Sequence, residues 1–367
     1  MGSSCAWSCP DVLSRRESRR NRKGRGEVTE ERHAPALGIG FMLLGMLCIS
    51  LNDLTIKLLS GGYPLHQIVF TRSAVGLLLT LGMLKIEGGW TLLRTRQPGL
   101  HVLRALLVVF ANSCFYAAIV VMPLATATAL YFVAPLFVTL LSIPVLGEAV
   151  GPRRVLAVVA GFAGVLVMMA PQMEGGAGWA ALLPVLAAAG YAGMSVLTRK
   201  LGASSRVSAL AAYIQATFVT VGAGFWLVAG DGRFVGPETP ESLRFLLRPW
   251  VWPSAGDAWV MLGLGVLSAL VGYSMSQAYR LARASTVAPF EFMLLIYALI
   301  WGWAFLGEWP APLVFAGAAV ILAANGFVFW RENRQARRAT GLAALTRPAL
   351  RLRRDAGQDG PLPQVSA

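Results

Sequence analysis

The sequence predicts an all-α integral membrane protein whose ten transmembrane helices form two inverted five-helix repeats. Three observations support this prediction: a long apolar segment occurs twice, ten apolar segments can be counted, and basic residues alternate between the connectors. The chain of 367 residues is 56% hydrophobic and only 14% charged, whereas a soluble domain carries about 25% charged residues. The composition therefore favours a lipid bilayer as the environment of most of the chain.

The repeated segment runs from Leu124 to Glu148 and recurs from Ala284 to Glu308. Both copies begin with small residues, contain a proline and end with Leu-Gly-Glu, at an offset of 160 residues. Each copy is long enough to cross a bilayer, which takes about 20 residues. The pairs matched at this offset include Thr126 with Thr286, Phe132 with Phe292, and Tyr131 with Glu291. Internal repeats in a membrane protein indicate a transporter with its site between the halves.

Ten spans follow from the apolar segments and their polar or Pro-Gly connectors. The predicted spans are 36–59, 66–84, 102–121, 124–146, 155–170, 179–198, 207–230, 258–279, 286–306 and 312–330. The first repeat therefore covers 36–170 and the second 179–330, joined by a linker at 171–178. The predicted organisation is completed by basic cytoplasmic tails at 1–35 and 331–367, expected to be disordered, and an extracytoplasmic loop at 231–257 with four prolines.

The distribution of Lys and Arg predicts the orientation of the spans. Twenty-six of the 32 basic residues lie in the tails and in the connectors on one side of the predicted membrane. Cytoplasmic connectors collect Lys and Arg, so both termini are expected in the cytoplasm of a bacterial inner membrane. An earlier pair of segments, 54–58 and 197–201, also matches, at an offset of 143 that places Arg72 on Gln215. Because five is odd, the second half enters the membrane from the opposite side.

No sequence motif points to catalysis or to a cofactor. The chain has no phosphate-binding Gly-rich loop ending in Lys-Ser/Thr and no His-Glu-x-x-His zinc motif. It also lacks a Gly-x-Ser-x-Gly nucleophile turn. Cys48 and Cys114 lie in apolar segments, and Cys5 and Cys9 lie in a tail without a second ligand pair. We therefore expect no enzyme activity, no metal and no cofactor, and the topology rule explains the net charge of +14 without nucleic acid.

Charged residues inside the spans are the first candidates for a site, because burying a charge in a bilayer is costly. Asp53 lies six residues before the end of the first span, and Arg72 lies six residues after the start of the second. Both are then about 9 Å below the same boundary, and we predict that they form an ion pair at the edge of a cavity. A structural salt bridge between two helices is the alternative. Lys57 is either part of this site or an interface residue whose amine reaches water.

Glu291 is the other charged candidate, and its repeat partner Tyr131 is expected to reach the same cavity from the opposite leaflet. Glu291 could bind a cationic group of the substrate or carry a coupling proton. A hydrogen-bonded structural carboxylate is the alternative. The weaker candidates for substrate contact are polar or aromatic side chains within spans: Asn112, Tyr116, Gln215, Tyr273, Gln277 and Trp301, with Tyr191 beside them.

Over residues 36–332 the sequence resembles the EamA-type branch of the drug/metabolite transporter superfamily. The resemblance is carried by the two Leu-Gly-Glu ends, by Asn52-Asp53 followed by Lys57, by Val69–Ser73 and by Ala284–Phe292. It implies two inverted five-helix repeats around a central cavity and the transport of small polar metabolites. Within the family, the chain looks most like the group of S-adenosylmethionine uptake transporters.

The expected function is secondary transport of an amino-acid-like or nucleoside-like metabolite, such as S-adenosylmethionine, by alternating access. The expected partners are a small-molecule substrate, the lipid bilayer and either a coupling proton or an exchanged substrate. Two alternatives stay open: an exporter of metabolites or drugs with the same fold, and a non-transporting membrane partner or sensor acting through the basic tails. The sequence does not specify the substrate, the direction of transport or the oligomeric state.

Overall fold

Long apolar helices make up most of the described chain. The computed structural model describes residues 35–87, 89–93, 97–148, 151–174, 178–201, 207–282, 284–331 and 334. Over these ranges, nine helices are long and apolar enough to cross a membrane, and the fifth long helix has a shorter apolar part, Val155–Pro171. Within the described ranges the predicted all-α membrane fold is confirmed.

The ten spans are named here by their order in the chain. They are Pro35–Leu59, Leu65–Glu87, Pro98–Ile119, Leu124–Leu146, Pro152–Glu174, Leu182–Leu201, Val207–Ala229, Ala255–Leu281, Ala288–Leu306 and Pro312–Arg331. Two predicted boundaries were wrong. The third span begins four residues early because Pro98 suits the first position of a helix, where no N–H donor is needed. The fifth span continues through Pro171 to Glu174, into the predicted linker at 171–178.

The fourth and ninth spans are irregular at repeat-equivalent points. The fourth consists of Leu124–Tyr131 and Ala134–Leu146, and a proline at the second position of the latter helix prevents a continuous hydrogen-bond ladder. The ninth begins with the 3₁₀ helix Ala288–Phe292, which also contains a proline, and continues as Met293–Leu306. Both breaks therefore fall near Phe132 and its partner Phe292, in the middle of the fourth span and near the start of the ninth.

The two Leu-Gly-Glu ends adopt the same backbone structure. Gly147 and Gly307 have φ of 71° and 63°, the left-handed region that favours glycine after the last turn of a helix. The next residue then folds back in each case. The Glu148 N–H donates to the Ser142 carbonyl at 3.3 Å, and the Glu308 N–H donates to the Gly302 carbonyl at 2.8 Å. The repeated motif therefore ends a span and places a carboxylate just beyond it.

The main helix pairs each take one helix from each half of the chain. The first span packs along the eighth, the second along the seventh, and the third along the sixth. Small residues allow close approach of the helices, and a side chain at Gly317 would meet the Gly164 carbonyl at 2.5 Å. Gly265 likewise lies against Val75, whereas the space beside Gly263 is open. The interior of the protein is therefore enclosed between the halves.

The loop predicted at 231–257 covers one end of the bundle. It contains a short helix, Glu241–Leu247, and its last residues already belong to the eighth span. Gln67 and Val251 exchange two hydrogen bonds, of 2.5 Å and 3.1 Å. Arg248 Nη1 donates to the Gly61 carbonyl at 2.7 Å. We call this end the loop face, and the end at which the first span begins and the tenth span stops the terminal face.

Candidate functional site

A central cavity of about 330 Å³ lies between the two halves. Its volume is within the range of ~300–1,000 Å³ found for small-molecule sites. Six of the ten predicted site residues line it: Asp53, Arg72, Asn112, Tyr116, Tyr131 and Gln215. Over the described ranges, no group of three or more His, Cys, Asp or Glu side chains could hold a metal ion.

A buried hydrogen-bond network centred on Arg72 forms the polar wall of the cavity. Arg72 Nη1 donates to Asn52 Oδ1 and to the Tyr116 hydroxyl, each at 3.0 Å. Asn52 Nδ2 in turn donates to Ser268 Oγ of the eighth span at 3.3 Å. The rings of Tyr116 and Phe218 flank the guanidinium, with centroids 5.6 Å and 5.5 Å from its carbon. These contacts fix the position of the Arg72 side chain, and only 6% of the residue is exposed.

The predicted direct ion pair between Asp53 and Arg72 was wrong. Among the ion pairs of the described residues these two form none, and Arg72 Nη1 donates to Asn52 and Tyr116 instead. Both residues nevertheless line the cavity. The positive charge of Arg72 also acts on the Asp53 carboxylate through space. The cavity wall therefore carries one carboxyl and one guanidinium group without a salt bridge between them.

Aromatic rings form a second wall, contributed by the third, fourth and sixth spans. The ring centroids of Phe115 and Tyr131 are 5.4 Å apart, and those of Tyr131 and Tyr191 are 5.7 Å apart. These separations suit edge-to-face and tilted aromatic contacts. Phe115, Phe218 and Ser268 were not predicted, because a single phenylalanine or serine in an apolar span gives no sequence signal for a site.

Four predicted site residues lie outside the cavity lining. Glu291 is absent from the lining and accepts a hydrogen bond from the Tyr279 hydroxyl, although its carboxyl group is near enough to interact electrostatically with Tyr131 and Tyr191. Trp301 Nε1 donates to Ser50 Oγ at 3.1 Å and so ties the ninth span to the first. Tyr273 packs against Phe41 in an edge-to-face contact at 6.0 Å. Gln277, one helical turn further along the eighth span, is also absent from the lining.

The repeat pairing behind the Glu291 prediction does hold at the next residue. Phe132 and Phe292 are repeat partners, and their ring centroids lie 5.2 Å apart. A residue that touches its own repeat partner lies beside the axis relating the halves, as in a two-fold interface. The midpoint of the two repeats is therefore next to the cavity.

Each face of the bundle carries an ion pair that uses the glutamate of a Leu-Gly-Glu end. At the loop face, Lys57 Nζ lies 2.5 Å from Glu308 Oε1 and also donates to the Met122 carbonyl at 2.8 Å. The Leu124 N–H donates to Glu308 Oε2 at 3.0 Å. At the terminal face, the Arg199–Glu148 pair is also 2.5 Å long. Lys57, left open between two roles above, thus binds a residue of the other half.

The two ion pairs differ in their exposure to solvent. The Lys57 and Glu308 side chains are 9% and 24% exposed, whereas those of Arg199 and Glu148 are 51% and 32% exposed. The glutamates match at the offset of 160, and Arg199 is the neighbour of Lys200, which matches Lys57 at the offset of 143. The ion pair at the loop face is therefore more shielded from solvent than the corresponding ion pair at the terminal face.

The cavity lining extends towards both faces of the bundle. Ala211 and Met194 line it four residues after the start of the seventh span and seven before the end of the sixth. At 1.5 Å per residue they lie about 6 Å and 10 Å from the terminal face. Tyr116, three residues before the end of the third span, lies about 4–5 Å from the loop face. The exposure of the two ion pairs, and not the reach of the cavity, therefore distinguishes the two faces.

Comparisons with known proteins agree with this architecture. A profile described as the EamA-like transporter family matches residues 36–170. A riboflavin transporter from Rhizobium johnstonii is 32% identical over 301 residues, or 82% of this chain and 91% of the relative. An S-adenosylmethionine uptake transporter from Rickettsia prowazekii is 24% identical, covering 81% of this chain and 94% of the relative. A crystal structure at 16% identity has a TM-score of 0.53, covering 83% of this chain and 99% of the other, and supports the fold alone.

Proposed function

The chain belongs to the EamA-like transporter family, and from this we propose that it is a secondary transporter working by alternating access in a bacterial inner membrane. Substrate enters the central cavity from one face and leaves from the other as the two repeats exchange conformations. The clustering of Lys and Arg on one side supports cytoplasmic termini. With that orientation, the more exposed Arg199–Glu148 pair faces the cytoplasm.

The observation that carries this proposal is the ion pair that each of the two repeat-equivalent glutamates forms, at opposite faces. Alternating access requires two seals that can be broken in turn, and inverted repeats supply them with similar local structure. The side chains of the Lys57–Glu308 pair are less exposed than those of the Arg199–Glu148 pair. If the two repeats exchanged conformations, the ion pair at the loop face would become exposed and the ion pair at the terminal face would become shielded. This exchange would open the loop face and close the terminal face.

For the substrate we propose a neutral, planar heterocycle with a polar side chain, and riboflavin in particular. The aromatic wall of Phe115, Tyr131 and Tyr191 supports ring stacking. With one carboxyl group and one guanidinium, the cavity wall is either neutral or positive. Neither condition attracts S-adenosylmethionine, which carries a net positive charge, and both are compatible with neutral riboflavin. The riboflavin transporter from Rhizobium johnstonii is also more similar to this chain than the S-adenosylmethionine transporter.

Uptake and release of labelled riboflavin by proteoliposomes test this proposal. We expect saturable riboflavin flux, little flux of S-adenosylmethionine, and a rise in KM of up to about tenfold for Tyr131→Ala, because an aromatic contact contributes about 0.5–1.5 kcal/mol. Tyr273→Phe, outside the cavity, is the matched control. Labelled riboflavin is placed either inside or outside the vesicles, which gives the direction of net transport. This comparison distinguishes uptake from the exporter alternative. The absence of riboflavin flux in both directions would contradict the substrate proposal.

For coupling we propose Glu291, which is hydrogen-bonded to Tyr279 beside the cavity. A carboxylate outside the substrate lining can carry a proton without competing with the substrate. Glu291→Gln is therefore expected to abolish uptake driven by a pH gradient while retaining exchange of labelled for unlabelled riboflavin. Both rates are measured in the same vesicles, with Tyr273→Phe as the control. Equal loss of both rates would indicate a structural carboxylate instead.

A further inference from the structure

Arg72 has hydrogen-bond donors that no described residue accepts. Both of its hydrogen bonds to described residues leave from Nη1. Nε is shielded from solvent and has no partner among the described residues. A buried donor without an acceptor is unfavourable, and Arg72 lines the central cavity. An acceptor offered from the cavity would therefore stabilise this side chain.

The unused donors define the shape of a matching group. With Nη1 engaged, the remaining edge of the guanidinium carries the parallel N–H groups of Nε and Nη2. Such an edge binds two acceptors held side by side, either the oxygens of a carboxylate or a carbonyl oxygen next to a ring nitrogen. A lysine cannot reproduce this pattern, because its ammonium is a point charge without a planar fork.

The surroundings favour the neutral acceptor pair over a carboxylate. Asp53 lines the same cavity and is close enough to Arg72 for the two charges to interact. A carboxylate bound at Arg72 would therefore lie in a buried site beside a second carboxyl group, an arrangement in which two negative charges repel each other. A carbonyl and a ring nitrogen satisfy the same donors without that repulsion.

We propose that Arg72 is the specificity-determining residue of the cavity, and that its Nε–Nη2 edge binds the adjacent carbonyl-oxygen and ring-nitrogen acceptors of a flavin ring. Asn52 and Tyr116 are positioning residues that hold the other nitrogen and fix the plane of the guanidinium. The inference rests on the proposed riboflavin transport and specifies how that substrate is recognised. Riboflavin offers two such acceptor pairs, one containing N1 and the other N5.

The test uses riboflavin analogues in which one ring nitrogen is replaced by a C–H group. Inhibition of labelled riboflavin uptake is measured with 1-deazariboflavin and 5-deazariboflavin, on wild type, Arg72→Lys and the control Tyr273→Phe. We expect wild type and the control to bind one analogue at least about fivefold more weakly than riboflavin, as for other bidentate arginine contacts. Arg72→Lys should bind riboflavin and that analogue equally.

Two results would overturn the inference while leaving riboflavin transport intact. In the first, wild type binds both deaza analogues as tightly as riboflavin, a result that stands even if Arg72→Lys does not fold. In the second, Arg72→Lys keeps the wild-type preference. Competition by S-adenosylmethionine that depends on Arg72 would show that the edge binds a carboxylate, which also contradicts the inference. A complete absence of riboflavin flux in wild type is a different outcome, because it refutes the proposed function itself.

Discussion

Replacing Lys57 with methionine is expected to destabilise the protein by about 1–3 kcal/mol, because the partly buried Glu308 carboxylate then loses its cation. Methionine retains most of the apolar stem, so the loss reports on the charge and on the hydrogen bond to the Met122 carbonyl. The measurement is the free energy of unfolding in detergent, followed by tryptophan fluorescence.

The repeat provides a matched control for this prediction. Arg199→Met breaks the equivalent pair at the terminal face, where both side chains are substantially exposed, and is expected to cost less than about 1 kcal/mol. Adding Glu308→Gln to Lys57→Met should recover part of the stability, since glutamine removes the unpaired charge and keeps an acceptor for the Leu124 N–H. Equal losses from Lys57→Met and Arg199→Met would contradict the asymmetry between the faces.

Cross-linking either face shut is expected to stop riboflavin transport almost completely, because alternating access needs both faces to open in turn. Cysteine pairs at positions 57 and 308, and at 148 and 199, are introduced after replacement of the four native cysteines. A short bis-methanethiosulfonate reagent then joins each pair across the seam between the halves by two reducible disulfides, with methanesulfinate as the leaving group. Transport is compared before cross-linking, after it and after reduction.

Reduction should restore transport in both variants, which separates trapping from damage. Variants with only one cysteine of each pair, treated with the same reagent, should keep their activity throughout. Normal transport by a fully cross-linked protein would show that the trapped face does not need to open. The two pairs are tested separately, so the result identifies which face of the proposed cycle is wrong.

The spans and their inversion were predictable because hydropathy, charge alternation and internal repetition all report on the bilayer. The breaks near Phe132 and Phe292 were indicated only by prolines, whose effect depends on the backbone around them. The fifth span was predicted too short, since Pro171 signals a helix end in sequence but lies inside the helix here. Local composition therefore predicts which segments cross the membrane better than it predicts where each helix stops.

The candidate site was predicted in part, and the errors share one physical cause. Depth in the membrane placed Asp53 and Arg72 at the same level correctly, but depth does not specify rotation about the helix axis. Asn52, the neighbour of Asp53, is therefore the side chain that reaches Arg72. Glu291 was likewise placed at a suitable depth, yet it faces Tyr279. The contact between Lys57 and Glu308 joins opposite halves of the chain, and neither residue carries a sequence signal for the other.

The contact between Phe132 and Phe292 has a kinetic consequence. Beside the axis relating the repeats, these rings keep similar neighbours whichever face is open. Trimming one ring would then shift the energies of both end states by similar amounts and leave their equilibrium nearly unchanged. The transition state between the two end states does not share these neighbours, so its free energy can change by a different amount. Substitution at this pair can therefore change the turnover rate without changing the equilibrium between the two end states.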